Sequence, residues 1–114
     1  MSIIDYLDAN HVLTGVPSRS KKQVIEELAE RVAKLTGLSQ RCVLDIVMRR
    51  ERLGSTGIGS GIAIPHAVHD GLTSTIALLA ILEAPVDFDA LDGQPVDIIC
   101  LVVGPPNDAA SNLK

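Results

Sequence analysis

Apolar residues recur at three- and four-residue intervals along the first third of the chain, at Val24, Ile25, Leu28, Ala29, Val32 and Leu35. That spacing predicts an amphipathic helix over 20–36. Ser20 and Gln23 form a capping-box pattern at its start, and Gly37 supplies a left-handed stop. A second stripe of Cys42, Val43, Ile46, Val47 and Leu53 predicts a helix over 39–53, capped by Ser39 and stopped at Gly54. Arg49, Arg50 and Arg52 crowd its final turns, where the helix dipole favours cations. The pattern then changes period. Residues 62–65, 75–82 and 96–103 read as strands, preceded by a short one around Val12. The last two are apolar at nearly every position, as strands covered on both faces are. Pro85, the run Asp87 to Gly93, and Pro95 predict the connection between them. Pro105-Pro106 breaks the chain, and Asp108 or Ser111 is placed to cap a third helix with scarcely a turn before Lys114. Two helices with one apolar face each need a sheet to cover, and the sheet's other face awaits C-terminal material.

Composition narrows the function classes. A chain of 114 residues, 46% hydrophobic and 21% charged, is one globular domain. Tyr6 and Phe88 are its only aromatic residues, so the core is aliphatic and stacking platforms for single-stranded nucleic acid are missing. A net charge of −4 also lacks the basic footprint of a duplex binder. The apolar runs 76–82 and 98–103 are too short to span a bilayer, and the N-terminus carries no signal pattern. Cys42 and Cys100 stand alone without a C-x-x-C pair, and read as buried structural thiols in a reducing cytoplasm. The expectation is a cytoplasmic domain without nucleic acid or membrane insertion.

Candidate chemistry concentrates in residues 54–66, Gly-Ser-Thr-Gly-Ile-Gly-Ser-Gly-Ile-Ala-Ile-Pro-His. Glycines interleaved with Ser55, Thr56 and Ser60 make a loop whose amides and hydroxyls can converge on an anion, or simply a turn. It lacks the Lys-Ser/Thr of a Walker A loop, the third glycine of G-x-G-x-x-G, and the glycines flanking a G-x-S-x-G serine. His66 follows Pro65 at a strand end. A neutral imidazole is a competent nucleophile near physiological pH. Beside an anion-cradling loop with arginines upstream, it fits a phosphoryl acceptor; the plain alternative is a structural histidine. His69 raises H-x-x-H metal binding, but Asp70 is a weak third ligand, so no metal is assigned. His11 reads as a surface or strand-edge residue. The arginines are either solvated helix-end charges or, for one of them, a bidentate phosphate partner reaching across Gly54. Asp87, Asp89 and Asp92 lack calcium-loop spacing and read as a surface connection at the rim of the site.

The string Arg50-Glu-Arg-Leu-Gly-Ser-Thr-Gly-Ile-Gly-Ser-Gly-Ile-Ala-Ile-Pro-His66 resembles the IIA proteins of the phosphoenolpyruvate-dependent phosphotransferase system, fructose/mannitol class. Within that class it is most similar to the free-standing nitrogen-regulatory branch. Phe88-Asp-Ala-Leu-Asp-Gly-Gln-Pro-Val-Asp97 and Ser20-Lys-Lys carry the resemblance further. It implies a three-layer α/β/α sandwich around a mixed β-sheet, spanning 1–114 as a single, C-terminally incomplete domain. It implies that His66 accepts phosphate from a histidine-containing phosphocarrier protein. It implies that Arg50 stabilises that phosphate, with Ser55, Thr56, Gly57, Gly59 and Gly61 forming the binding loop. Asn112 stands where the family places a second histidine, and can donate a hydrogen bond but not titrate. No cofactor is implied. The domain would be a component of a bacterial phosphotransferase relay rather than a stand-alone enzyme. Its regulated targets would be reached by protein contact, with potassium transport or sensor proteins among the candidates. Two alternatives stay open: a sugar-specific IIA component handing phosphate to a permease, and a binding module whose histidine is never phosphorylated.

Overall fold

The structure, a computed structural model, describes residues 11–17 and 19–106. Asp108, Ser111 and Asn112, and with them the expected third helix, lie outside the described residues.

Helix α1 (Lys21–Thr36) starts where Ser20 Oγ accepts the Gln23 N–H, and stops at Gly37, whose φ of 80° lets its N–H reach Ala33 O. The capping box reaches one residue further back than its usual form: Gln23 Oε1 accepts from Arg19 N–H at 2.7 Å. Helix α2 (Gln40–Leu53) is capped by Ser39 Oγ, which accepts from Cys42 N–H at 3.0 Å. The buried face of α1 is Val24, Ile25, Leu28, Ala29 and Val32. That of α2 is Val43, Val47 and Glu51. Of the expected stripe members, Cys42 and Ile46 are only half-buried, and Leu35 at 41% exposure and Leu53 at 85% lie outside these faces altogether. A carboxylate, Glu51, completes the buried face of α2 and was not among the expected stripe residues.

The strands are β1 (Val12–Val16), β2 (Gly57–Gly59), β3 (Ile62–Ala63), β4 (His66–Val68), β5 (Ile76–Val86) and β6 (Val96–Gly104). They form one mixed, open sheet in the order β1-β5-β6-β3-β2, with β4 also on β6. Strand β1 runs parallel to β5, β5 antiparallel to β6, and β3 and β4 parallel to β6. Strand β5 is longer than its apolar run. It passes through Pro85 to pair Val86 with Val96, after a register shift beyond Ile81 that tolerates the missing N–H. Strands β3 and β4 keep one register on β6, Ala63 opposite Ile99 and His66 opposite Val102. They are one strand interrupted at Ile64-Pro65. His66 therefore opens a strand segment instead of lying past a strand's end.

Both helices pack on one sheet face. Their buried residues join Ala63, Ala67, Leu78, Ala80, Ile99, Leu101, Val103 and Phe88 in the main core. On the opposite face Ala77, Cys100 and Val102 form a smaller cluster with Ile64 and Leu79. The described residues thus supply the helical layer and the sheet of the α/β fold. Phe88, fully buried, anchors the β5–β6 connection, and Lys21 Nζ sits 4.7 Å from its ring centroid.

Truncating this anchor should be costly. Phe88→Ala is expected to lower unfolding free energy by about 3–5 kcal/mol. Leu91→Ala, three residues away and 90% exposed, should stay within about 0.5 kcal/mol. Urea denaturation of both variants checks the contrast.

Candidate functional site

The glycine-rich segment folds as a β-hairpin. Strand β2 pairs antiparallel with β3, and Gly59, Ser60 and Gly61 turn between them with φ of 103°, 57° and 80°. Serine rarely enters that left-handed region. Here its N–H is held by Asp92 Oδ2 at 3.0 Å. Asp92 also accepts from Gln94 N–H at 3.0 Å. These two backbone donors, Gln94 first, hold its carboxyl below the ordinary value of 3.8. The acidic connection thus ties down the hairpin tip.

Three members of the expected phosphate loop have their groups committed inside the protein. Ser55 Oγ donates to Phe88 O at 2.6 Å and accepts from Gly57 N–H at 3.0 Å. Thr56 is buried, its hydroxyl donating to Glu51 Oε2 and its N–H to Glu51 Oε1 at 3.3 Å. Gly57 is required for packing: a Cβ there would lie 2.7 Å from Ala90 Cβ and 3.0 Å from Ala90 Cα. Of the interleaved hydroxyls that suggested an anion cradle, those of Ser55 and Thr56 fasten the hairpin to the 87–95 connection and to α2. Gly59 and Gly61, both half-buried, flank the exposed Ser60 at the turn.

His66 is half-buried, and its Nδ1 lies 2.9 Å from Ile64 O. A carbonyl only accepts, so Nδ1 is the donor, and in the neutral ring Nε2 then keeps its lone pair. Arg50 is also half-buried. Its Nη1 donates to Gly54 O at 2.9 Å, closing the end of α2 and placing the guanidinium at the root of the hairpin. One of its five N–H donors is used in that bond. Arg49 pairs with Asp45 at 3.0 Å along the helix surface and behaves as a solvated helix-end charge.

His69 belongs to a different arrangement. Its Nδ1 accepts from Gly71 N–H at 2.8 Å, and its Nε2 faces Cys42 Sγ at 3.3 Å. Cys42 is therefore half-buried against an imidazole, contrary to the reading of an isolated apolar thiol. Cys100 is buried, and burial pushes its thiol up from the ordinary 9.0. Among the described residues no three His, Cys, Asp or Glu side chains converge as metal ligands do. His11 lies half-buried immediately before β1. Sequence reading missed Glu51. The available signal was its place four residues after Val47 on the buried stripe, beginning at Val43.

Together these residues make a mixed sheet with two helices on one face, a half-buried histidine opening a strand segment, an arginine closing α2 at Gly54 and a braced glycine hairpin. Residues 5–114 match the model of the family described as "Phosphoenolpyruvate-dependent sugar phosphotransferase system, EIIA 2", and the chain belongs to that family. It is 40% identical over 114 residues to a nitrogen regulatory protein of Bradyrhizobium diazoefficiens, covering 100% of this chain and 74% of that protein. It is 47% identical over 103 residues to a nitrogen regulatory protein of Pseudomonas aeruginosa, covering 90% of this chain and 67% of that one. Among solved structures, the nitrogen regulatory protein IIA-Ntr of Neisseria meningitidis superposes with a TM-score of 0.90 at 35% identity, over 98% of this chain and 77% of that chain. Among the described residues no helix is long and apolar enough to cross a membrane.

The Asp92 brace has an acid-side signature. A carboxyl whose folded-state value is depressed contributes stability that is complete above its unfolded value of about 3.8. That contribution is lost as pH falls through the lower folded value. In Asp92→Asn the Ser60 amide resonance should lose the pH dependence it shows below about pH 4, measurable by NMR titration. An identical titration in the variant would mean that the Ser60 bond does not depend on the charge.

Proposed function

We propose that this domain is a phosphoryl carrier of the nitrogen-regulatory kind, loaded on His66 by a histidine-containing phosphocarrier protein. The observation that carries this reading is the His66 tautomer. With Nδ1–H anchored on Ile64 O, Nε2 presents its lone pair to the donor's phosphorus. The new N–P bond forms at Nε2 as the donor's own N–P bond breaks, and the donor imidazole leaves with its electron pair. The Nδ1 proton stays in place throughout. Phosphorylation makes the ring cationic, and the Ile64 carbonyl stabilises that charge through the hydrogen bond already present.

Arg50 meets the phosphoryl oxygens in this reading, with guanidinium donors beyond the one spent on Gly54 O. With the Ser60 N–H held by Asp92, the amides of Gly59 and Gly61 are the remaining loop donors in this reading; Ser55 and Thr56 act by bracing the hairpin. Positioning and charge neutralisation suffice for such a transfer, so no cofactor is called for. The proposed output is regulation, in keeping with the relatives named nitrogen regulatory protein, exerted by protein contact in the cytoplasm. Phosphate adds about −1.5 to −2 charge beside the hairpin, by analogy with other phosphorylated side chains, and so distinguishes two binding states.

Incubation with phosphoenolpyruvate and the upstream carrier proteins should add one acid-labile, base-stable phosphate. His66→Ala should abolish it, and His69→Ala should leave it largely intact. Phosphate on the His66→Ala protein would remove His66 from the role. Rapid passage of phosphate to a sugar through a permease would favour the sugar-specific class instead.

Arg50→Ala should slow loading about 10- to 1000-fold, the range for loss of one charged transition-state stabiliser. Lysine should rescue only in part because it lacks the planar fork. A rapid-quench rate equal to wild type would leave Arg50 as a helix-end cap alone.

A further inference from the structure

Glu51 lies in the last turn of α2, apart from the glycine-rich loop and His66. It is 6% exposed on a stripe otherwise filled by Val43 and Val47. A charge there is costly unless it is paired and hydrogen-bonded. Its oxygens take Lys21 Nζ at 2.8 Å, Thr56 N–H at 3.3 Å and the Thr56 hydroxyl. Thr56 is thereby held at both its amide and its side chain. Its carbonyl accepts the Ile64 N–H at 3.0 Å, and the Ile64 carbonyl accepts His66 Nδ1–H at 2.9 Å.

Ile64 sits in the gap between β3 and β4, next to a proline that has no N–H to give. The contact from Thr56 is thus placed to settle where the Ile64 peptide groups point. We infer that Glu51 is a positioning residue for His66. Through Thr56 and Ile64 it fixes the carbonyl that selects the Nδ1–H tautomer and leaves Nε2 free. The tautomer effect stands by itself; its consequence for phosphoryl transfer rests on the proposed function.

The test reads the tautomer directly, from imidazole 15N shifts of His66 in the intact chain above its titration range. Wild type should show a protonated Nδ1 and an unprotonated Nε2. Glu51→Gln keeps the size but removes the charge on which Lys21 Nζ, the Thr56 N–H and the Thr56 hydroxyl converge. It should lower the Nδ1–H to Nε2–H ratio by roughly threefold to tenfold, the scale of one weakened hydrogen bond. Thr56→Val, isosteric and without the hydroxyl, should shift the ratio in the same direction by less, and Thr56→Ser should restore it. Phosphorylation of Glu51→Gln should slow by a similar factor at saturating donor, with the half-saturating donor concentration unchanged. A general loss of structure would disturb both.

A wild-type tautomer ratio in folded Glu51→Gln, or in Thr56→Val should Glu51→Gln not fold, overturns the inference. So does an equal loss in Thr56→Ser and Thr56→Val. If the ratio shifts as expected while no donor phosphorylates wild type, the positioning stands and the carrier reading fails.

Discussion

The pair Lys21–Glu51 ties together parts of the molecule that local folding would leave apart. Lys21 opens α1, where the helix dipole disfavours a cation, and Glu51 lies in the last turn of α2, where it disfavours an anion. Each is therefore poorly placed within its own helix and well placed for the other, at 2.8 Å. Lys21 also covers the Phe88 ring, and Glu51 accepts from Thr56. One pair thus joins the start of α1, the end of α2, the β2–β3 hairpin and the β5–β6 connection. Buried pairs seldom add net stability over apolar packing, but breaking one strands a buried charge at a cost of about 3–5 kcal/mol. What the pair supplies here is alignment: the helices and the hairpin have one mutual register that satisfies it.

The helices were legible because their signals are local. Ser20, Gly37 and Ser39 act within a turn of themselves, and the stripes of 24–32 and 43–47 repeat at the helical period. The strand cores of 76–82 and 96–103 were equally plain from continuous apolar runs. The errors fall where a distant partner decides. Proline argued for ending β5 near Leu82, yet the pairing of Val86 with Val96 carries the strand past Pro85. Glu51 reads as a surface charge until Lys21 and Thr56 are placed against it. Cys42 and His69 lie 27 residues apart in sequence, and no periodicity joins them.

The glycine-rich segment teaches a narrower lesson. Glycines alternating with hydroxyl residues suit both an anion cradle and a tightly fastened hairpin, because both require close backbone approach and short side chains that bond to backbone. Gly57 is explained by contact with Ala90, Gly59 and Gly61 by their positive φ, and Ser55 and Thr56 by bonds to Phe88 O and Glu51. The motif's specificity therefore lies less in donors aimed outward than in a fastening that needs every small residue in place. His66 and Arg50 stand apart from that fastening and keep capacity to spare, a free Nε2 on one and unspent guanidinium donors on the other.

Pro65 shows how a strand can be interrupted just before a histidine without ending. Its own carbonyl still accepts Val102 N–H at 3.0 Å, so the register on β6 survives the interruption. The groups of Ile64 face the other edge, as alternate residues in a strand do. There its N–H meets Thr56 O and its carbonyl meets the imidazole. A longer β2 would carry a backbone N–H to that carbonyl and complete an ordinary ladder. Because β2 pairs only over the short span from Gly57 to Gly59, the ladder stops one acceptor early, and a side chain two residues on takes its place. The same break that ends the hairpin's pairing orients the histidine, so site and fold share one set of hydrogen bonds. A change that extends or loosens the hairpin is therefore felt at the ring nitrogen even where it touches no residue of the site.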